Sequence, residues 1–346
     1  MEKYLEIADI LRNRILHGDY MLKEIPTENK LAAEVGVSRM TARKAIMLLI
    51  SQGVLERKEN RRVVCVAGAG RKNEKIALLV PTWSSTEYQT WRHLLERMAL
   101  EHNLNVHPVD YVHWEDPVMP HTLDSFPAVF LLPSVGALPP RVAELLRSHP
   151  RLAVLGNDLS SHGLLSINLF PAIHVNRLLD LLVDAGCHRV DCLCAQPRDE
   201  TTEARVMQWR LWQRLTGIPG DLLTRDVRPF SLSIRNAFEM VDEALRQGRR
   251  MDGILSVTMN GALGACRACR EHGLRIGRDV RICTVNGQGT NRYTIPTITC
   301  LEPEEQSAYL KVVFSWMTQE QGAWDGPLVL QPELPKLFTG ESTSGM

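Results

Sequence analysis

Two arginines on one helix face could read the edges of DNA bases. Arg39 and Arg43 stand four residues apart in a stretch with helical periodicity, so both side chains lie on the same face. A guanidinium group can donate two hydrogen bonds to guanine, which discriminates that base by about 1–3 kcal/mol. The hydroxyls and the ammonium group beside them suit phosphate contacts, which position a protein without reading sequence. The candidate contact residues are Ser38, Arg39, Met40, Thr41, Arg43 and Lys44.

Three helices and a hairpin would position this face. Apolar residues at helical spacing, together with the N-cap residue types Thr27 and Ser38, predict helices over residues 4–16, 27–35 and 38–52. Gly36 permits a tight turn between the second and third helices. Residues 54–55 and 63–66 alternate apolar and charged residues, as in two paired strands. The pattern predicts a winged helix-turn-helix whose third helix lies in the major groove. The tip of the hairpin adds three candidate contacts, Asn60, Arg61 and Arg62.

The distribution of charge supports a basic head on an acidic body. The whole chain of 346 residues has 40 basic and 40 acidic residues, so its formal net charge is zero. Residues 1–72 contain 14 Lys and Arg against 9 Asp and Glu, which leaves a net charge of +5 on the head and −5 on the remainder. A basic excess is expected where a phosphate backbone is bound. The neutral total therefore does not exclude a protein that binds nucleic acid.

The segment from Ile25 to Lys58 resembles the GntR family of bacterial transcription regulators. The resemblance covers roughly residues 3–67 and implies that Ser38, Arg39, Thr41 and Arg43 contact DNA. Two places depart from the family: Asn29 stands where Arg is usual, and residues 59–62 replace the usual glycines of the wing tip. The resemblance rests on Pro26-x-Glu28, Leu31-Ala32, Gly36-Val37-Ser38-Arg39, Thr41, Arg43 and Gly53-Val54-Leu55.

After the head, apolar runs alternate with amphipathic helical segments. Residues 75–81 form a continuous apolar run, typical of a buried parallel strand, and strand-helix alternation continues beyond residue 280. The number of strands exceeds one sheet, so we expect an α/β body of two lobes with parallel sheets. The predicted domains are a winged helix-turn-helix over residues 1–67, a linker over 68–74, a two-lobed effector-binding domain over 75–338 and a disordered tail over 339–346.

Polar and aromatic residues at the ends of these strands are the candidate ligand contacts. In open parallel sheets, ligands bind outside the carboxyl ends of the strands, here between the lobes. Asn and Asp at such positions also cap turns, Trp83 could belong to the core, and Arg205 could form a surface ion pair, so these alternatives remain open. The candidate residues are Trp83, Ser84, Ser85, Asn157, Asp158, Asn168, Phe170, Arg205, Thr258 and Asn286.

The body resembles the periplasmic-binding-protein-like domain of the lac repressor family. The clearest similarity is at residues 185–190, which resemble the family's segment before a strand. The resemblance implies that Arg205, within residues 204–209, contacts a small-molecule effector such as a sugar. Thr258-Met259 and Asn286 replace polar and acidic residues that are common in relatives, which leaves an atypical sugar or a non-sugar ligand as alternatives.

No pattern predicts catalysis, a metal site or a cofactor. The chain has no G-x-S-x-G, H-E-x-x-H or Walker motif. Cys266 and Cys269 form a lone C-x-x-C pair in an apolar helical stretch, without the two further ligands that a zinc site needs. No apolar run is long enough to span a membrane, and the charged first residues do not resemble a signal peptide, so a cytoplasmic protein with reduced cysteines is expected.

These features together predict a ligand-responsive, DNA-binding transcription regulator. We expect a homodimer that binds a double-stranded DNA operator, represses carbohydrate-utilisation genes and responds to a small-molecule effector, most simply a sugar. The alternative is a solute- or sugar-binding receptor module without transcriptional control. The basic helix-turn-helix discriminates between the two, because a receptor module does not need one.

Overall fold

The N-terminal head is a three-helix unit with a short hairpin. A computed structural model describes residues 3–16, 25–58, 62–65, 75–82, 85–102, 104–227, 231–302, 305–318 and 322–344. In the hairpin Leu55 lies opposite Cys65, and Arg57 lies opposite Val63. The helices close over a core that includes the buried side chains of Leu11, Leu31 and Leu49. The elements are α1 (Lys3–Leu16), α2 (Glu28–Glu34), α3 (Arg39–Ser51), β1 (Leu55–Arg57) and β2 (Val63–Cys65).

Local capping sets the turn between α2 and α3. Thr27 is the N-cap of α2, and its side chain accepts a hydrogen bond from the Lys30 amide at 3.4 Å. Gly36 adopts a positive φ of 66°, which a residue without Cβ reaches at no steric cost. The Val37 amide then donates to the Ala32 carbonyl at 3.0 Å, which closes the turn. The sequence prediction for this motif is confirmed.

The first lobe of the body is a parallel six-stranded sheet with the strand order β13-β7-β6-β5-β3-β4. Its inner strands β3, β5 and β6 have almost continuous apolar sequences because helices cover both faces. The elements are β3 (Lys75–Pro81), α4 (Thr86–Glu101), β4 (Asn105–Tyr111), α5 (Val118–Ser125), β5 (Ala128–Leu131), α6 (Pro140–Ser148), β6 (Leu152–Leu155), a 3-10 turn (Ser160–His162), β7 (Ser166–Ile167), α11 (Gln306–Thr318) and β13 (Val329–Leu330).

The second lobe repeats this architecture with the order β14-β12-β11-β10-β8-β9. All neighbours in the sheet are parallel except β12 and β14. The elements are a 3-10 turn (Ala172–His174), α7 (Val175–Asp184), β8 (Val190–Cys194), α8 (Glu200–Thr216), β9 (Leu222–Thr224), α9 (Ser233–Arg246), β10 (Gly253–Ser256), α10 (Met259–Glu271), β11 (Arg281–Asn286), a 3-10 turn (Asn291–Tyr293), β12 (Thr299–Glu302), β14 (Lys336–Phe338) and α12 (Glu341–Ser344).

The chain passes between the lobes after β7, after β12 and after β13. Residues that follow the carboxyl ends of strands in both lobes line a common cleft. The prediction of an α/β fold with a winged helix-turn-helix and a two-lobed body is confirmed. The predicted linker over 68–74 lies outside the described residues.

The C-terminal tail differs from its prediction. The sequence predicts disorder over residues 339–346, but α12 forms over Glu341–Ser344. The Ser342 hydroxyl is buried and donates to the Ile282 carbonyl, while the Thr299 amide donates to the same hydroxyl at 3.0 Å. The small polar residues of this tail satisfy backbone groups at the edge of β11 and β12, which composition alone does not indicate.

Candidate nucleic-acid interface and interlobe cleft

The start of α3 presents an exposed basic face. The side chain of Arg39 is 69% exposed, Met40 is 62% exposed, and Arg43 and Lys44 are exposed as well. Ser38 is the N-cap, and its hydroxyl accepts from the Thr41 amide at 3.1 Å and lies 2.8 Å from the Thr41 hydroxyl. These two hydroxyls therefore fix the first turn of the helix, a role in addition to the phosphate contacts that the sequence predicts for them.

One carboxylate connects this face to the rest of the head. Glu28 at the start of α2 lies 3.4 Å from the guanidinium of Arg39 and 3.6 Å from that of Arg57 on β1. The Glu28 side chain is largely buried between them. It orients Arg39 relative to the hairpin, a role that sequence reasoning missed because the partners are far apart along the chain.

The remaining predicted contacts occupy different surroundings. The Lys44 ammonium lies 5.8 Å from the ring centre of Tyr4 on α1, within the range of a cation-π interaction. In the hairpin, the Lys58 amide donates to the Arg62 carbonyl at 2.9 Å, and Arg62 is exposed. Asn60 and Arg61 lie outside the described residues, so the structure describes only one of the three wing contacts.

Six of the predicted ligand contacts line the interlobe cleft, which has two compartments. The smaller is polar and encloses about 70 Å³, and Ser85, Asn157, Arg205 and Thr258 lie in its wall. The larger is mainly apolar and encloses about 230 Å³. Phe170 and Asn286 line this larger compartment, together with Trp91. Two further predicted contacts, Trp83 and Ser84, lie outside the described residues.

Arg205 is a buried cation and not part of a surface ion pair. It is 3% exposed, and one terminal nitrogen donates to the Val257 carbonyl at 2.8 Å. Burial lowers the pKa of Arg205 by disfavouring its charge, an effect that the carboxylates of Glu87 and Asp199 oppose. Its Nε has no hydrogen-bond partner within the described part of the chain.

Glu87 is the cleft residue that sequence reasoning missed. It lies in the first turn of α4, and its Oε2 accepts from the Asn286 side-chain amide of the other lobe at 3.2 Å. Burial raises the pKa of Glu87, Asp199 raises it further, and Arg205, Asn286 and Trp91 act in the opposite direction. A Cβ at Gly156 would lie 3.0 Å from Glu87 Oε1, so any larger residue there would crowd the carboxyl group.

Asp158 and Asn168 are not brought to either compartment. The Asp158 carboxylate accepts from the amide and the hydroxyl of Ser160, at 2.9 and 2.6 Å. The Asn168 side-chain oxygen accepts from the Phe170 amide at 3.1 Å. Both side chains therefore cap turns, the alternative that the sequence left open for residues of this type, and their contact with a ligand stays a prediction.

Other polar residues of the cleft come two to five positions after strand ends and are not among the predicted contacts. Gln196 and Asp199 follow β8, and Gln288 follows β11. Applying the strand-end rule to every strand would have found them. Tyr88 also lines the polar compartment, and its hydroxyl donates to the Pro133 carbonyl at 2.9 Å.

Further contacts join the two lobes near the cleft. The Gly136 amide donates to the Arg198 carbonyl at 3.1 Å. His162 Nε2 lies 3.1 Å from a carboxylate oxygen of Glu200. Together with the contact between Glu87 and Asn286, they connect the two lobes across the cleft.

Comparison with known proteins agrees with this division of the chain. The family described as "Bacterial regulatory proteins, gntR family" matches residues 3–64, and the "Periplasmic binding protein-like domain" matches residues 179–307. The chain is a transcription regulator with a GntR-type DNA-binding head. The regulator GalR of Streptococcus thermophilus is 22% identical over 244 residues, which cover 66% of this chain and 70% of GalR.

Two further proteins are similar to only part of the regulator, one in sequence and one in structure. The "Mannosyl-D-glycerate transport/metabolism system repressor MngR" of Escherichia coli is 43% identical over 54 residues, 15% of this chain and 22% of MngR. A LacI-family regulator from Arthrobacter sp. FB24, solved in complex with lactose, has a TM-score of 0.63 at 17% identity. It covers 78% of this chain and 98% of its own length, so the LacI-like fold extends over the body.

The described residues contain neither a membrane span nor a metal cluster. No helix there is both long and apolar enough to cross a bilayer. No group of three or more His, Cys, Asp and Glu side chains in the same ranges could hold a metal ion. Cys266 and Cys269 lie buried in α10, where burial raises the pKa of both thiols to about 12.

Proposed function

We propose that this regulator is a homodimeric repressor that binds operator DNA through α3 and responds to a sugar in the interlobe cleft. The observation that carries the proposal is the exposed basic face at the capped start of α3. We assign DNA binding to residues 1–67 and effector binding to residues 75–338. The cleft would bind the effector, and the head would bind the operator.

The geometry of α3 supports the proposed DNA contacts. Helix-turn-helix proteins place the N-terminal residues of the recognition helix against base edges. The guanidinium groups of Arg39 and Arg43 suit guanine, and Met40 suits apolar contact with a thymine methyl group. The Ser38 hydroxyl, the Thr41 hydroxyl and the Lys44 ammonium are assigned to phosphates, together with Arg62 and the wing residues Asn60 and Arg61.

The chemistry of the cleft supports a polyhydroxylated effector. A sugar needs donors and acceptors for adjacent hydroxyls and an aromatic face for its ring. Arg205, Asn157 and Thr258 supply the first, and Phe170 beside Trp91 supplies the second. A structural neighbour of the body points to the same class, since that LacI-family regulator was solved with lactose.

Closure of the lobes would couple the two sites. A ligand that contacts both lobes stabilises the closed arrangement relative to the open one, and this difference in affinity is all that can shift the equilibrium. In a dimer, such a shift changes the separation of the two heads. Winged-helix dimers read two half-sites about one helical turn apart, so this separation sets operator affinity.

Operator selection followed by a substitution in α3 tests the DNA assignment. Full-length protein is used to select duplexes from a random library, and the Arg43→Ala variant is then measured on the selected operator. We expect a loss of about 1–3 kcal/mol, roughly 5- to 150-fold in affinity, with sugar binding unchanged. Arg246→Ala removes another exposed arginine, from the second lobe, and should retain operator affinity. Unchanged specific binding by Arg43→Ala would contradict the assignment.

The same preparation tests the absence of catalysis. We propose that the cleft binds its sugar without converting it, as expected of a sensor. Incubation of the purified protein with each sugar that binds should return the sugar unchanged by mass and by chromatography. Any turnover that follows the protein through purification would overturn this part of the proposal.

A further inference from the structure

Glu87 reaches from the first lobe into the space where both compartments of the cleft meet. It lines the polar and the apolar compartment at once, and its carboxyl group lies beside Asn286 on the opposite lobe. Gly156 leaves room for it, since a Cβ there would come within 3.0 Å of the carboxylate and 3.1 Å of Trp91 Nε1. A ligand that occupies both compartments must therefore contact this carboxyl group or displace it.

The wall of the polar compartment has an excess of acidic groups. Among its described residues, Glu87 and Asp199 are acidic and Arg205 is basic, so it has one more carboxylate than cation. Asp199 is the N-cap of α8 and accepts from the Thr202 amide at 2.7 Å. The Glu87 carboxylate is less fully compensated, because burial and Asp199 disfavour its charge more than Arg205, Asn286 and Trp91 together favour it. A ligand with a positive charge would compensate it.

Buried atoms without partners indicate which groups the ligand must supply. Asn286 is 1% exposed, and its side-chain oxygen has no hydrogen-bond donor within the described ranges. Arg205 Nε lacks an acceptor in the same part of the chain. The Asn286 oxygen, which lies beside the Glu87 carboxylate, needs a strong hydrogen-bond donor. Arg205 Nε needs an oxygen atom as its acceptor. An ammonium group next to a hydroxyl meets both requirements, because the ammonium group donates up to three hydrogen bonds and the hydroxyl oxygen accepts one.

We propose that the effector is an amino sugar or a similar aminated polyol, and that Glu87 selects its protonated amino group. The ammonium group lies between the Glu87 carboxylate and the Asn286 oxygen, an adjacent hydroxyl accepts from Arg205, and the sugar ring faces Trp91 and Phe170. This inference rests on the proposed sugar-binding function of the cleft. It specifies in addition that the ligand is positively charged and that Glu87 binds the charged group.

Matched sets of sugars test the charge. Full-length protein is titrated calorimetrically with glucosamine, galactosamine and mannosamine, each beside its parent hexose and its N-acetyl form. The N-acetyl form keeps the nitrogen and loses the charge. We expect at least one amino sugar to bind about tenfold tighter than both of its neutral counterparts, the order expected for one charged hydrogen bond.

Substitution of Glu87 tests the residue. Glu87→Gln keeps the size of the side chain and should reduce the preference for the amino form to within about twofold, as loss of one charged partner predicts. Glu101→Gln, at the exposed end of the same helix, should keep the full preference. The melting temperature of each variant without ligand verifies folding, and Glu87→Asp provides a second variant that retains the charge.

The outcomes separate this inference from the proposed function. If a parent hexose binds and its amino form binds no tighter, or if Glu87→Gln keeps the preference, the inference is wrong and the sugar-binding function stands. If no member of the panel binds, the proposed sugar effector is contradicted together with it.

Discussion

The head and the cleft build their sites in opposite ways. The candidate DNA contacts on α3 lie within residues 38–44, are largely exposed, and depend on a helix whose cap is local. The cleft brings together Glu87 and Asn286, which are 199 positions apart and mostly shielded from water. An exposed site of local residues can change its specificity with little effect on folding. In the cleft, a substitution that changes ligand recognition also changes the packing and the balance of buried charge, and therefore the stability of the fold.

Truncation of a core leucine in the head should give the largest loss of stability. It also tests whether the head can unfold while the cleft still binds its ligand. Leu49 is fully buried beneath the exposed face of α3. Leu49→Ala should destabilise the head by about 2–5 kcal/mol, because it removes buried methyl groups and leaves a cavity. Operator binding should be lost while the calorimetric signal of sugar binding remains.

The reciprocal variant is Leu79→Ala, which truncates an equally buried leucine in the first lobe. It should weaken sugar binding and lower the melting temperature of the body. If Leu49→Ala abolishes sugar binding as well, the head and the cleft are not the independent regions that the comparison describes.

A methyl group at Gly156 should disturb the cleft and leave the head unchanged. Gly156 has φ of +83°, and a Cβ there would lie 3.0 Å from the Glu87 carboxylate. We expect Gly156→Ala to cost about 1–2 kcal/mol through backbone strain and this contact. Chemical denaturation measures the stability and calorimetry the sugar affinity.

Gly136 supplies a matched control for that substitution. It has the same φ of +83°, but beyond its chain neighbours no atom lies within 4 Å of the position that a Cβ would occupy. Gly136→Ala should therefore report backbone strain alone, about 1 kcal/mol. Equal costs for the two variants would show that the approach of Glu87 to Gly156 has no energetic consequence.

Loss of the Ser38 cap should weaken the head by a smaller amount. The Ser38 hydroxyl accepts from the Thr41 amide, so Ser38→Ala leaves an amide at the start of α3 without its partner. The expected cost is about 1 kcal/mol in thermal or chemical unfolding of the head. Ser51→Ala, which removes a hydroxyl bonded to Leu48 at the other end of α3, should have a smaller effect. Equal losses would argue against local capping as the basis of the site.

The smallest expected effect is a dependence of stability on pH that arises in the cleft. Burial raises the pKa of Glu87 above its ordinary value of 4.5, so the folded protein holds this proton more tightly than the unfolded chain. The contribution of Glu87 to stability is present below pH 4.5 and is lost as pH rises through the folded-state pKa. Without ligand, Glu87→Gln should therefore gain stability relative to the wild type across that window.

Denaturant titrations at several pH values measure this difference, with Glu101→Gln as the control. The two stability curves should diverge as pH increases. Parallel curves for the wild type and Glu87→Gln would mean that the Glu87 carboxyl group titrates alike in the folded and unfolded states.

The elements of the fold are predictable where their signals are local. Ser38 and Gly36 mark the start of α3 and the turn before it, and both predictions agree with the structure. The capping box between Asp199 and Thr202 sets the start of α8 at Glu200, a local signal that helical periodicity alone does not register. The alternation of strands and helices predicts parallel sheets. The continuous apolar runs identify the strands, because a strand covered on both faces has no polar side.

The cleft is only partly predictable for a physical reason. A polar residue at a strand end can face a ligand or satisfy the nearest backbone amide, and both uses favour the same residue types. Arg205 and Asn286 line the cleft, whereas Asp158 and Asn168 bond to residues two positions ahead. Glu87 has the sequence pattern of an acidic residue in the first turn of a helix, which usually interacts with the helix dipole.

The sequence by itself determined the head, its basic face and the two-lobed class of the body. Capping, helical periodicity and strand alternation act over a few residues, so their consequences can be read along the chain. Only the tertiary structure decided that Glu87 meets Asn286 across the lobes, that Arg205 is buried, and that α12 folds against β11 and β12. Those outcomes depend on which distant groups share a water-poor space, and burial determines both their charge state and their partners.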